Sequence, residues 1–199
     1  MVAIPPALQL LSLILLQTYC KIFLRKKLAT FCHKVVKVNT VYLRPYRPSD
    51  LSNIIHVFTE AVHQLGIRHY SLTQLSAWAP SEPDQQRWSD HLESMVILVA
   101  VARQEATIVG FIGYDGAGLV DLLFVHPTFA RRGIATMLMQ AVERLALANG
   151  VSRLQTKASM VARPFFESRG FVVTAAETVT IGGENLRRFA MDKIIKPTQ

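Results

Sequence analysis

The sequence predicts one α/β domain built on a mixed, twisted, mostly antiparallel sheet of six or seven strands, flanked by four or five helices. Three observations carry this. A strand-forming run, Val120-Asp121-Leu122-Leu123-Phe124-Val125, ends at His126-Pro127 and passes through a short loop into a long amphipathic helix. Two apolar runs at 96–101 and 108–114 are joined by a few polar residues, and two more at 171–181 and 184–193 flank Gly182-Gly183, so each pair reads as a hairpin. The chain has 199 residues, half of them hydrophobic, which suits one such domain with an extension.

Taken in order, residues 41–44 form a first strand that Pro45 and Pro48 stop. Ser49 or Asp50 caps a helix running to about Gln64, with Leu51, Ile54, Ile55, Phe58 and Val62 on one face and Gly66 at its end. A short helix holding Leu72, Leu75 and Trp78 stops at Pro80, and a third spans roughly 84–93. After the 96–114 hairpin, Gly116 and Gly118 mark a turn into the strand at 119–125. The helix after Arg132 turns Met137, Leu138, Ala141, Val142, Leu145 and Ala146 inward and ends at Asn149-Gly150. A strand at 154–158, a short helix at 161–168 stopped by Gly170, and the last hairpin complete the domain, which is expected to span 39–196.

Residues 1–38 read as a basic, hydrophobic leader. Residues 1–40 hold Lys21, Arg25, Lys26, Lys27, Lys34 and Lys37 and no acid, so they carry +6 of the net +8 and leave the rest close to neutral. The basic character therefore belongs to the leader and argues against nucleic-acid binding by the domain. Three readings of the leader stay open. A membrane-spanning helix is weakened by Pro5, Pro6, Gln9 and Gln17; a signal peptide lacks a basic start; the third is an amphipathic or unstructured extension without a chemical role. Insertion would keep Arg25-Lys26-Lys27 and the domain cytoplasmic, the expected location, with membrane association through residues 1–30 as the alternative. Cys20 and Cys32 both lie in the leader, so the domain has no disulfide, thiolate metal site or cysteine nucleophile.

The strand-loop-helix segment carries the chemistry. The first N–H groups of a helix have no partner inside it and attract anions, and a glycine there lets phosphate come close to the backbone. Ala130-Arg131-Arg132-Gly133-Ile134-Ala135-Thr136 provides this, and about thirty residues on stand Ala162, Pro164, Phe165-Phe166-Glu167-Ser168-Arg169-Gly170-Phe171. With these two motifs the sequence resembles the GNAT superfamily of acyl-CoA-dependent N-acetyltransferases over residues 41–193. His69-Tyr70-Ser71, Gln74-Leu75 and Ala77-Trp78-Ala79 further resemble its YafP-like bacterial members.

The resemblance implies a GNAT-like sheet and acetyl-CoA as cosubstrate, with no metal. The diphosphate would lie against the N–H groups of Arg131, Arg132, Gly133, Ile134 and Ala135 and the Thr136 hydroxyl. The pantetheine arm would run beside Phe124 and Val125 where strands four and five part, with Ser159, Phe165 and Phe166 completing the cosubstrate site. The Val125 N–H would polarise the thioester carbonyl. Two positions depart from the family. Ala130 stands where Gln or Arg is usual, in a mostly backbone role. Phe166 stands where many relatives have a tyrosine that protonates the departing sulfur; Tyr70 or Tyr114 could substitute, although nothing in the sequence places either. A thiolate of pKa ~8.5 still leaves tolerably near neutral pH.

For the acceptor amine, Asp121 is either a base or amine-holding carboxylate, or a strand-end residue satisfied by backbone N–H groups; strand alternation groups it with Leu119, Leu123 and Val125. His126 reads as a turn residue, and Arg163 either reaches a CoA phosphate or is an exposed helix arginine. His63, His69 and Tyr70 fall in the segment that lines the acceptor pocket in relatives, with His69 and Tyr70 at its rim; Trp78 either walls that pocket or anchors the core. The expected activity is acetyl transfer to a primary amine of a small molecule or peptide by direct attack, with homodimerisation left open. Two rivals are a CoA-binding module without transferase activity, docked to a membrane or protein partner, and another nucleotide-binding α/β fold. The second lacks a P-loop lysine and Gly-x-Gly-x-x-Gly.

Overall fold

The computed structural model describes residues 41–196. The leader, with its cysteines, its basic cluster and the expectations of membrane association and cytoplasmic location attached to it, lies outside these residues, as does the expected domain start at 39. Among the described residues no helix is long and apolar enough to cross a membrane.

The strands are β1 (Val41–Pro45), β2 (Val96–Ala102), β3 (Ile108–Tyr114), β4 (Leu119–Val125), β5 (Arg153–Ser159), β6 (Val172–Ile181) and β7 (Glu184–Ile194). They form one sheet in the order β1-β2-β3-β4-β5-β7-β6, antiparallel throughout except for β4 against β5. The helices are α1 (Leu51–Gly66), α2 (Leu72–Trp78), α3 (Gln85–Glu93), α4 (Ile134–Ala148) and α5 (Arg163–Ser168). The mixed seven-stranded sheet with five helices is the fold the sequence predicts, and the order of elements along the chain agrees as well.

Hydrophobic burial on both faces of the sheet makes three layers. On one side Met137, Leu138, Ala141, Val142, Leu145 and Ala146 of α4 bury against Leu98, Ile112, Val120 and Leu154, with Phe166 of α5 at the edge. On the other, Ile54, Phe58 and Val62 of α1, Leu75 of α2 and Leu92 of α3 cover Val99, Phe111, Leu122 and Leu186. Strands β2 and β3 are apolar almost without interruption because both of their faces are covered.

Local chemistry sets the helix boundaries, with one departure. Ser71 and Gln74 form a reciprocal capping box on α2, and Asp84 accepts from the Arg87 N–H to cap α3. Asp50 does not cap α1. Its carboxylate turns back to Arg44 (2.6 and 2.8 Å) and the Arg47 N–H (2.8 Å), because a guanidinium on the adjacent strand competes better than the helix's own amides.

Two irregularities of β4 position everything that follows. Gly113 stands opposite Leu122 while Tyr114 stands opposite Val120, so Asp121 is the extra residue of a β-bulge. The expected alternation of Asp121 with Leu123 and Val125 is therefore broken: Leu123 and Val125 pack on the α4 side, whereas Asp121 meets α3 on the other. Beyond Leu119↔Gln155 and Val120↔Thr156, β4 and β5 no longer pair and the sheet opens.

Candidate active site

The opening between β4 and β5 leads into a cavity of about 220 Å³. Leu122, Leu123 and Phe124 line it from β4, and Thr156, Lys157, Ala158 and Ser159 from β5. Phe58 and Trp78 close it on the α1–α2 side, and Phe166 of α5 forms its apolar floor. The β6–β7 hairpin folds over α2 as the remaining wall. Gln74 Nε2 donates to the Asn185 carbonyl (2.7 Å) and the Tyr70 hydroxyl to the Arg187 carbonyl (2.8 Å), while Gly182 lies so close to Ala77 that a Cβ would stand 3.2 Å from it.

Backbone groups face the opening because of strand register. The His126 N–H donates to the Val109 carbonyl (2.9 Å), making that pair a hydrogen-bonded one. The next pair, Val125 and Gly110, is then of the non-hydrogen-bonded kind. The Val125 N–H consequently points away from β3, toward the gap that β5 has vacated.

The loop after β4 presents a second set of free amides. Arg131 (φ +63°) and Gly133 (φ +81°) both adopt left-handed backbone, and α4 starts at Ile134. Among the described residues none of the N–H groups from Arg131 through Thr136 donates to the protein; the first bond of the helix is from Met137 to the Gly133 carbonyl (3.0 Å). Such a run of outward amides at a helix start is an anion-binding nest. A Cβ on Gly133 would meet nothing within 4 Å, so the glycine serves the backbone angle and the space above it is open.

At the mouth of the cavity Asp121 accepts from His91 Nε2 at 3.0 Å, and the two side chains are 36 % and 45 % exposed. The partner of Asp121 is thus a histidine from α3, a residue the sequence reading did not single out, and not backbone amides. Nothing local in the sequence marks His91; the packing of α3 brings it to the bulge. On the same face of the sheet, Glu177 of β6 takes Arg188 Nε at 3.0 Å and Lys157 Nζ at 3.7 Å.

Tyr70 and Trp78 line the cavity with their rings 5.6 Å apart, and Trp78 also packs against Phe58 and Phe124, so it both walls the site and anchors the core. Tyr70 is a buried strut whose hydroxyl also accepts from the Met160 N–H (2.9 Å). Burial raises its pKa despite that N–H. Of the two residues expected at a pocket rim, Tyr70 lines this cavity, whereas His69 lies in the exposed turn after α1 and outside the lining. His63 fixes the end of α2 through the Ala79 carbonyl (2.8 Å). His126 is a turn residue, paired with the Thr128 hydroxyl (2.8 Å). Arg163 pairs with Glu167 along α5 and lies over Phe189.

Ser159 accepts from the Ala162 N–H (3.1 Å), which shapes the entry into α5, while Phe165 packs edge-on against Phe166 outside the cavity. Of the two tyrosines considered as a replacement acid, Tyr70 lines the cavity and Tyr114 does not. Tyr114 is fully buried away from the lining, its pKa pushed up to about 12 by burial and then by Asp115. The Tyr70 proton is already held by the Arg187 carbonyl.

Comparison with known proteins agrees with this architecture. The family described as Acetyltransferase (GNAT) domain matches residues 67–193. The uncharacterized N-acetyltransferase YafP of Escherichia coli (strain K12) is 34 % identical over 154 residues, covering 77 % of this chain and 96 % of that one. Among solved structures, a GCN5-related N-acetyltransferase from Rhodopseudomonas palustris superposes with a TM-score of 0.75 at 34 % identity, over 80 % of this chain and 99 % of its own. The PaiA N-acetyltransferase of Thermoplasma acidophilum, solved with coenzyme A, shares the fold (TM-score 0.61, 20 % identity, 78 % and 99 % coverage).

Proposed function

This chain belongs to the GNAT acetyltransferase family, and from that premise we propose that it transfers an acetyl group from acetyl-CoA directly to a primary amine. The observation that carries this reading is the junction at β4: a run of unpartnered amides at the start of α4 adjoins a gap into which the Val125 N–H points. The residues present fit a diphosphate at one end of that junction and an extended amide-bearing arm beside β4. When bound, acetyl-CoA supplies an activated thioester.

In this reading Arg131, Arg132, Gly133, Ile134, Ala135 and Thr136 hold the diphosphate. Phe124, Ser159 and Phe166 surround the arm, and Phe165 backs Phe166 from outside the cavity. The Val125 N–H donates to the carbonyl oxygen as negative charge builds on it. Asp121, oriented by His91, takes the proton that the amine loses as the C–N bond forms and the C–S bond breaks. Phe166 is apolar, so the sulfur departs as a thiolate that water protonates. Tyr70 and Trp78 shape the acceptor side.

A second reading, a CoA-binding module without turnover, draws on Phe166 alone. Transfer of labelled acetyl from acetyl-CoA to a broad panel of amines decides between them. Labelled product supports the transferase; tight CoA binding with no product on any amine supports the module.

A further inference from the structure

We infer that the acceptor is an amino carboxylate of amino-acid size with an apolar or aromatic body, its amine at Asp121 and its carboxylate at Arg188 and Lys157; this rests on the transferase reading above. Strand alternation sets which way these side chains face. Arg188 lies two residues from Leu186 on β7, and Leu186 packs with α1 and α2, so Arg188 faces that layer. Ala158 of β5 belongs to the opposite, α4-side core, so its neighbours Lys157 and Ser159 face the α1–α2 layer too. Register places Ser159 opposite Arg188 and Arg188 opposite Glu177. These charges thus share the face that carries Asp121 and stand on the other side of the sheet from α4, where the anion-binding amides lie.

The balance of charge is uneven. One carboxylate, Glu177, faces two cations. Arg188 donates only through Nε, and its two terminal nitrogens have no partner among the described residues. A guanidinium with a free edge in a partly enclosed cavity suits a second carboxylate. The lining on this face also includes Phe58, Trp78, Phe124 and Leu186, which suits an apolar or aromatic body. The cavity of about 220 Å³ has room for a body of amino-acid size.

The test compares kcat/KM, with saturating acetyl-CoA, for matched pairs with and without the carboxylate: phenylalanine and phenethylamine, tryptophan and tryptamine, 5-aminovalerate and pentylamine. The carboxylate member is expected to be preferred by on the order of tenfold or more in at least one pair, the size of one charge-assisted hydrogen bond. Arg188→Ala should abolish that preference and Arg188→Lys retain part of it. Glu177→Gln should lower KM for the carboxylate member, an effect that a purely structural role for the cluster would not produce. Equal or better transfer to the decarboxylated members, or a preference intact in Arg188→Ala, would overturn the inference and leave the transferase reading standing. No transfer to any of the six overturns it as well; only silence across the broad amine panel also removes the transferase.

Discussion

The hydroxyl of Thr156 donates to the carbonyl of Val120 across 2.8 Å, at the last rung where β4 and β5 still pair. One residue further on, Asp121 bulges out and the strands part. This side-chain bond closes the apex of the opening. Thr156→Val should leave the Val120 carbonyl without its buried partner and cost about 1–2 kcal/mol in urea denaturation, with Thr156→Ser close to the parent. Equal stability of Thr156→Val and the parent would show that the apex holds itself by strand pairing alone.

Gly133 occupies left-handed backbone with open space above it. Gly133→Ala should cost roughly 1–2 kcal/mol of folding stability through backbone strain, and Gly133→Asn less. Both should weaken acetyl-CoA binding in calorimetry, because each puts atoms where the phosphate comes to rest. A Gly133→Ala protein of full affinity would place the diphosphate elsewhere.

Asp121→Asn should lower kcat by about 10²–10⁴, the usual worth of a general base, while KM for acetyl-CoA stays within about twofold. His91→Gln should fall between the parent and Asp121→Asn, since it acts by orienting the carboxylate. An unchanged kcat in Asp121→Asn would assign proton removal to solvent.

Asp50 supplies a pH dependence of stability. Burial pushes its carboxyl up, but the Arg44 guanidinium and the Arg47 N–H outweigh it and leave the pKa below the ordinary carboxylate value. A group lowered on folding stabilises above its unfolded pKa of about 4 and loses that contribution as pH falls through the lowered folded value. Asp50→Asn should therefore cost roughly 3 kcal/mol at pH 7 and flatten the decline in stability below pH 4, read from urea midpoints across pH. An equally steep acid decline in the variant would assign it to other carboxylates.

Much of this was legible in the chain. The strand, proline, basic loop and amphipathic helix at 120–136 are contiguous, so their chemistry is local and can be read from order alone. All seven strands and five helices likewise show as apolar runs at strand or helix spacing, several of them bounded by glycine or proline. What stayed hidden depends on distant partners. The bulge at Asp121 leaves no mark in a one-dimensional alternation, which therefore assigns Asp121 to the wrong face. His91 reaches it only through the packing of α3, and Arg188, Glu177 and Lys157 meet because β7 inserts between β5 and β6. Asp50 reads as a helix cap until Arg44 is placed beside it.

The amides that follow Ala130 are the centre of the proposed acetyl-CoA site. Backbone hydrogen exchange, followed residue by residue with and without saturating acetyl-CoA, tests them directly. Exchange at residues 131–136 should slow markedly on binding, with the Val125 amide slowed as well. Binding heat absent and exchange at 131–136 unchanged would contradict the placement of acetyl-CoA on this loop.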